Sequence, residues 1–295
     1  MAERTPVSRW VAAVSGLPGM VGAVPPTAQV LVAIVSVQVG AAVAKQLFTT
    51  IGTAGAVMLR LVLAAVVLVA LWRPSIRANR RAVPVILAYG VVLGVMNLCF
   101  YLALQRIPLG IAVTVEFLGP LAVALIGSRR WLDGLWAVLA GAGVVLLAKT
   151  GGDVSVVGLL LALAAGACWA GYILLSAALG SRTTDGSGLA LAAVVSGLVV
   201  TPFGLAEAGT ALLAPGVLLI GLAVALLSSV IPYSLELTAL RSIPPRVFGV
   251  LMSLEPAVAA VAGLVLLGEQ LRPTQWIAIT CVVAASAGAT RYARS

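Results

Sequence analysis

Histidine is absent from the 295 residues, charged residues make up only 9% of them, and cysteine occurs three times. The chain therefore lacks an imidazole base or metal ligand, and no Cys-x-x-Cys pair or Walker-type glycine loop takes its place. An enzyme would need a nucleophile with its base, or a set of metal ligands, so this inventory argues against catalysis and against an ATP-driven pump. Neither a cofactor nor a metal is expected. The shortage of charge is equally informative, because a soluble domain carries about 25% charged residues. Water is the wrong solvent for this chain.

In place of charge there is apolar surface: 62% of residues are hydrophobic and the mean hydropathy is +1.16. A bilayer core takes about 20 apolar residues per helix, so the chain has room for about ten crossings and only short loops. Punctuation by Pro, Gly and charge predicts helices near 27–48, 53–72, 83–104, 109–127, 132–149, 156–180, 187–206, 215–238, 247–267 and 273–290. The expected fold class is an all-α integral membrane protein. A tail over 1–26 precedes the first span. Arg4 and Arg9 before its moderately apolar run imitate a signal peptide, but Pro18 and Pro25-Pro26 favour a tail at the membrane surface. Residues 291–295 form a short C-terminus. Cys99, Cys168 and Cys281 all fall within apolar spans, where thiols usually serve packing.

The formal charge of +9 raises the question of nucleic acid, but the cations fall in alternate loops, which is the pattern of membrane orientation. With the N-terminus inside, the inner segments hold the clusters Arg73, Arg77, Arg80 and Arg81, then Arg129 and Arg130, then Arg241 and Arg246. The outer segments hold only Arg106, Lys149 and Arg272. Both termini are thus expected on the cytoplasmic side, with no nucleic-acid partner. Trp72, Trp131 and Trp276 fall at span ends, as interfacial anchors do. Trp169 falls mid-span near Tyr172, where it either packs the core or lines a cavity.

An internal repeat emerges when Leu104-Gln105-Arg106-Ile107-Pro108 is laid on Leu240-Arg241-Ser242-Ile243-Pro244, a shift of 136 residues. The same shift carries Pro120 onto Pro256 and Asp133 onto Glu269 without a gap. A unit of five helices has an odd number of crossings, so its second copy enters from the opposite face, giving two inverted halves over 27–149 and 156–290. Secondary transporters are commonly built this way, around a site at the midplane.

Ionisable groups inside a span are costly and call for a reason. Lys45, Arg60, Glu116, Glu236 and Glu255 qualify. Glu116 lies roughly 10 Å into its helix at the standard rise, and Glu255 is as deep from the other face. Glu116 aligns with Met252, one turn from Glu255, so the two carboxylates are expected to share a cavity. Pro120 and Pro256 free the carbonyls of Glu116 and Met252, marking helix breaks at aligned positions. Arg60 stays charged and needs a carboxylate, carbonyls or an anionic ligand. Lys45 either snorkels or joins the pathway, and Glu236 serves either transport or a helix-end ion pair. Asp133 and Glu269 read as interfacial. Gly90 and Gly94 form a GxxxG that suits close helix packing within the chain. Fixed cations together with carboxylates fit a zwitterion: Arg60, with or without Lys45, for its carboxylate, and Glu116 or Glu255 for its ammonium. Burial disfavours a charged carboxyl, which would couple proton movement to the solute.

The run from Gly110 to Leu125, with its Glu116-Phe117-Leu118-Gly119-Pro120 core, resembles the threonine/homoserine exporters of the EamA-type branch of the drug/metabolite transporter superfamily. Val43-Ala44-Lys45, Gly166-Ala167-Cys168-Trp169-Ala170, Ile231-Pro232-Tyr233-Ser234-Leu235-Glu236 and Ser253-Leu254-Glu255-Pro256 agree. The resemblance runs from about residue 29 to 290. It implies ten helices and export of small hydrophilic amino acids across the bacterial cytoplasmic membrane, driven by protons, with Tyr233 beside the pathway. Another cargo on the same fold, such as cationic drugs, is the alternative. The tail before residue 27 is longer than this resemblance leads one to expect. Substrate, protons and the lipid bilayer are the expected partners, and the sequence leaves the oligomeric state open.

Overall fold

A computed structural model describes residues 24–77, 79–126, 131–149, 154–180, 182–183, 186–240, 242–243 and 245–292. The expected tail lies almost wholly outside this set. Every regular element among the described residues is helical, the solution that lets a chain in lipid satisfy its own backbone polar groups.

The first half comprises α1 (Pro26–Gln46), α2 (Phe48–Trp72), α3 (Val83–Leu104), α4 (Leu109–Glu116), α5 (Leu118–Ile126) and α6 (Trp131–Lys149). The second comprises α7 (Val156–Gly180), α8 (Ser187–Ala208), α9 (Pro215–Ala225), a π-turn (Leu226–Val230), α10 (Ile231–Leu240), α11 (Pro245–Met252), α12 (Glu255–Leu267) and α13 (Pro273–Tyr292). Among the described residues, seven helical stretches are long and apolar enough to cross a membrane, with Gly134–Leu147 and Pro215–Val230 as shorter apolar helices. Proline opens α1, α9 and α12 within their first two positions, where a missing N–H costs nothing.

The span expected to begin at 53 instead begins at Phe48, and the reason is local. Gly52 adopts φ 71 and ψ 175, a left-handed kink that a side chain would strain, so regular helix resumes near Thr53. The Ala54 N–H, orphaned by the kink, donates to the Glu207 carboxylate at the end of α8 (2.6 Å).

α2 packs along α8, and α3 lies against both α7 and α8. Gly90 and Gly94 sit in that last contact, where an added Cβ would press on Ala192, Val195 and Ser196. The GxxxG thus serves packing within the chain. α1 packs on α10 and α12, α4 on α12, and α6 on α13. Val138, Leu160, Leu174, Leu219 and Val265 stay largely exposed, an apolar exterior suited to acyl chains.

Candidate functional site

The broken spans create the site. α4 stops at Glu116 and α5 resumes at Leu118, because Pro120 has no N–H to offer the Glu116 carbonyl. α11 stops at Met252 and α12 resumes at Glu255, with Pro256 in the equivalent place. The freed Glu116 carbonyl rests on α7 at Gly166, where a Cβ would come within 2.6 Å of its oxygen, and a Cβ on Gly119 would collide with the Gly166 carbonyl. Backbone meets backbone here, and this close approach fixes the depth of Glu116. Gly166→Ala is therefore expected to destabilise the protein by about 1–3 kcal/mol, read as a lower melting temperature in detergent.

Both breaks border one cavity of about 430 Å³, enclosed by residues of both halves. Arg60, Glu116, Glu236, Glu255, Trp169 and Tyr172 all line it, as does Pro120. Glu116 and Glu255 are buried. Trp169 meets the ring of Phe117 edge-on (5.6 Å between centroids), at the break between α4 and α5. Tyr172 packs on Tyr89 (4.9 Å). Tyr233 belongs to α10, but its side chain lies outside the described residues, as does that of Asp133.

Arg60 enters from α2 and is fixed without an acid. Its guanidinium donates to the Tyr101 hydroxyl (3.1 Å) and to the Ser228 carbonyl (3.3 Å), and it lies 5.5 Å from the centre of the Tyr101 ring. Among the described residues no carboxylate comes within 4 Å of it. The Ser228 carbonyl is available because Pro232, four residues on, has no N–H to offer it; in the adjoining π-turn the Ile231 N–H goes to Leu226, and Ser36 takes the Leu227 carbonyl (2.7 Å).

Five polar residues in the cavity wall were not singled out from sequence: Gln38, Asn97, Ser228, Ser286 and Thr290. Gln38 donates through Nε2 to Glu255 Oε1 (3.2 Å) and holds that carboxylate in place. The signal was available, since an amide in the middle of an apolar span is anomalous by the same rule that marks a charge.

Lys45 and Pro256 do not line the cavity. Lys45 Nζ pairs with Glu269 Oε1 (2.5 Å), and Glu269 Oε2 accepts the Leu109 N–H at the start of α4 (2.7 Å). Gly268, at φ 68, ends α12 and lets the Glu269 N–H return to the Gly263 carbonyl (3.0 Å), which turns the carboxylate inward. Glu269 thus joins α1, α4 and the end of α12. The Glu207–Ala54 contact stands at the same end of the bundle. Between the two, Leu47, Ile51, Leu104, Ile107 and Leu109 are buried in one apolar cluster. The cavity lies toward the opposite end, with Ala124, Glu236, Gly249 and Thr290 on its wall.

The model of the EamA-like transporter family matches residues 156–291. The threonine/homoserine exporter RhtA of Escherichia coli (strain K12) is 46% identical over 286 residues, covering 94% of this chain and 96% of that protein. RhtA of Salmonella typhimurium (strain SL1344) is 46% identical over 270 residues, covering 90% and 91%. An uncharacterized transporter of Bacillus subtilis (strain 168), YwfM, is 28% identical over 229 residues, covering 73% and 76%. A solved crystal structure shares the fold with a TM-score of 0.59 at 20% identity, covering 90% of this chain and 97% of its own.

Proposed function

The chain belongs to the EamA-like transporter family, and on that footing we propose that it is a proton-coupled exporter of small hydrophilic amino acids of the threonine and homoserine type. The observation that carries the reading is one cavity lined both by Arg60, which has no carboxylate within 4 Å among the described residues, and by the buried carboxylates of Glu116 and Glu255. A zwitterion satisfies both ends of such a site. A permanent cation gains nothing from Arg60, which disfavours the cationic-drug alternative.

It is a multi-pass protein of the bacterial inner membrane. We read its topology as ten crossings in two inverted repeats, over 27–149 and 156–290, with both termini cytoplasmic. The packing supports the repeat, because exchanging the halves maps the main helix contacts onto one another. The α2–α8 and α6–α13 contacts map onto themselves, α3–α7 exchanges with α1–α10, and α5–α7 with α1–α12. The helix breaks after Glu116 and Met252 also fall on the 136-residue shift. In this reading the cavity is poised toward the cytoplasm, and Glu269 and Glu207 help close the outer end. Alternating access then exchanges the roles of the two ends.

Export of labelled threonine and homoserine from cells with and without the gene tests the reading. Faster efflux of both, with no change in a cationic dye, is the expected result. A dye phenotype with unchanged amino-acid efflux would overturn it. In vesicles, Glu116→Gln and Glu255→Gln are each expected to weaken substrate-driven proton movement. Full coupling in both variants would remove the two carboxylates from the mechanism.

A further inference from the structure

Four buried polar atoms on residues that line the cavity lack a partner among the described residues: Gln38 Oε1, Glu255 Oε2, Arg60 Nε and Ser228 Oγ. Unsatisfied buried atoms are uncommon, and four on such residues form a pattern. They also sort by chemistry. Gln38 Oε1 and Glu255 Oε2 are acceptors on two side chains already bonded to each other. Arg60 Nε–H and the Ser228 hydroxyl are donors on two residues likewise bonded, through the Ser228 carbonyl.

We propose that Gln38 and Ser228 are substrate ligands that read the two ends of the α-amino acid. Resting on the amino-acid reading above, this assigns the α-ammonium to the acceptor pair of Gln38 and Glu255, and the α-carboxylate to the donor pair of Arg60 and Ser228. Glu255 supplies charge to the first pair and Gln38 supplies direction. The Gln38 amide spends its Nε2–H on the carboxylate, and this fixes its oxygen as the acceptor that remains. Ser228 is fixed as firmly. Its carbonyl, left free by Pro232, accepts from Arg60, and its side chain sits beside Gly40, where a Cβ would collide with the hydroxyl.

The test uses the full chain in proteoliposomes, measuring competition against labelled threonine by three probes. These are threonine, threoninol, which lacks the carboxylate, and 2,3-dihydroxybutanoate, which lacks the ammonium. Gln38→Met removes the acceptor at similar volume. It should raise the half-inhibitory concentrations of threonine and threoninol roughly tenfold or more, and leave that of the hydroxy acid unchanged. Ser228→Ala should weaken threonine and the hydroxy acid by a similar factor and spare threoninol. Melting temperatures of the variants beside the unsubstituted protein separate loss of the acceptor from a folding defect in the methionine variant. Ser228→Ala only removes an atom from a tight contact and supplies an independent arm. Equal weakening of all three probes in both variants, or no weakening of threonine in either, overturns the assignment. Absence of threonine competition in the unsubstituted protein would instead overturn the amino-acid reading itself.

Discussion

Arg60→Met is expected to weaken threonine transport about a hundredfold or more, chiefly through KM, while the protein still folds. The guanidinium is held by one hydroxyl and one carbonyl, neither of which neutralises it, so its charge is left for a ligand. Truncating it would leave the substrate carboxylate with no counter-charge in a largely apolar enclosure, the situation in which loss of a single partner is most costly. The fold loses less, because Tyr101 retains its ring contacts with Phe48 and Phe100. Arg60→Lys separates charge from geometry. It preserves the cation and loses the planar fork, so an intermediate loss is expected. Initial rates in proteoliposomes over a range of threonine concentrations, beside a melting curve, provide the check. An unchanged KM in the methionine variant would place Arg60 outside the substrate site.

Glu269→Ala should lower stability by about 2–3 kcal/mol. One carboxylate serves two partners, the Lys45 ammonium and the Leu109 N–H, and its removal strands both in a partly buried setting. Lys45 is a quarter exposed, so water would recover part of the loss. Glu269→Gln distinguishes the two contributions, since an amide oxygen can still accept from Leu109 and cannot neutralise Lys45. About half the loss should return, read from melting temperatures of the two variants side by side. If Glu269→Ala melts with the unsubstituted protein, the contact carries no stability.

The helices were legible in the sequence because lipid imposes a simple rule: long apolar runs, interrupted where Pro, Gly or charge must fall. The span 83–104 and the start of α7 at 156 needed no adjustment. Less legible was the kink at Gly52, since a glycine inside an apolar run reads equally well as continuing helix. Of the site, Arg60, Glu116, Glu236 and Glu255 came from a search for charge, and the cavity gathers all of them. That search passes over uncharged polar groups, so Gln38 and Ser228 escaped it. It also could not separate Lys45 from the site, because position along a helix gives depth and not direction. Lys45 turns to Glu269, 224 residues away, and no local pattern encodes that partner.

Glu207 and Glu269 both belong to the second half, and each bonds the leading N–H of a helix in the first. In the proposed repeat Leu109 corresponds to Pro245, whose nitrogen carries no hydrogen. The 136-residue shift also places Leu71 where an acid matching Glu207 would stand. At the aligned positions of the other half the fastening has no counterpart. In the alternating-access cycle proposed above, the two sides are then unequal and the empty carrier has a resting side.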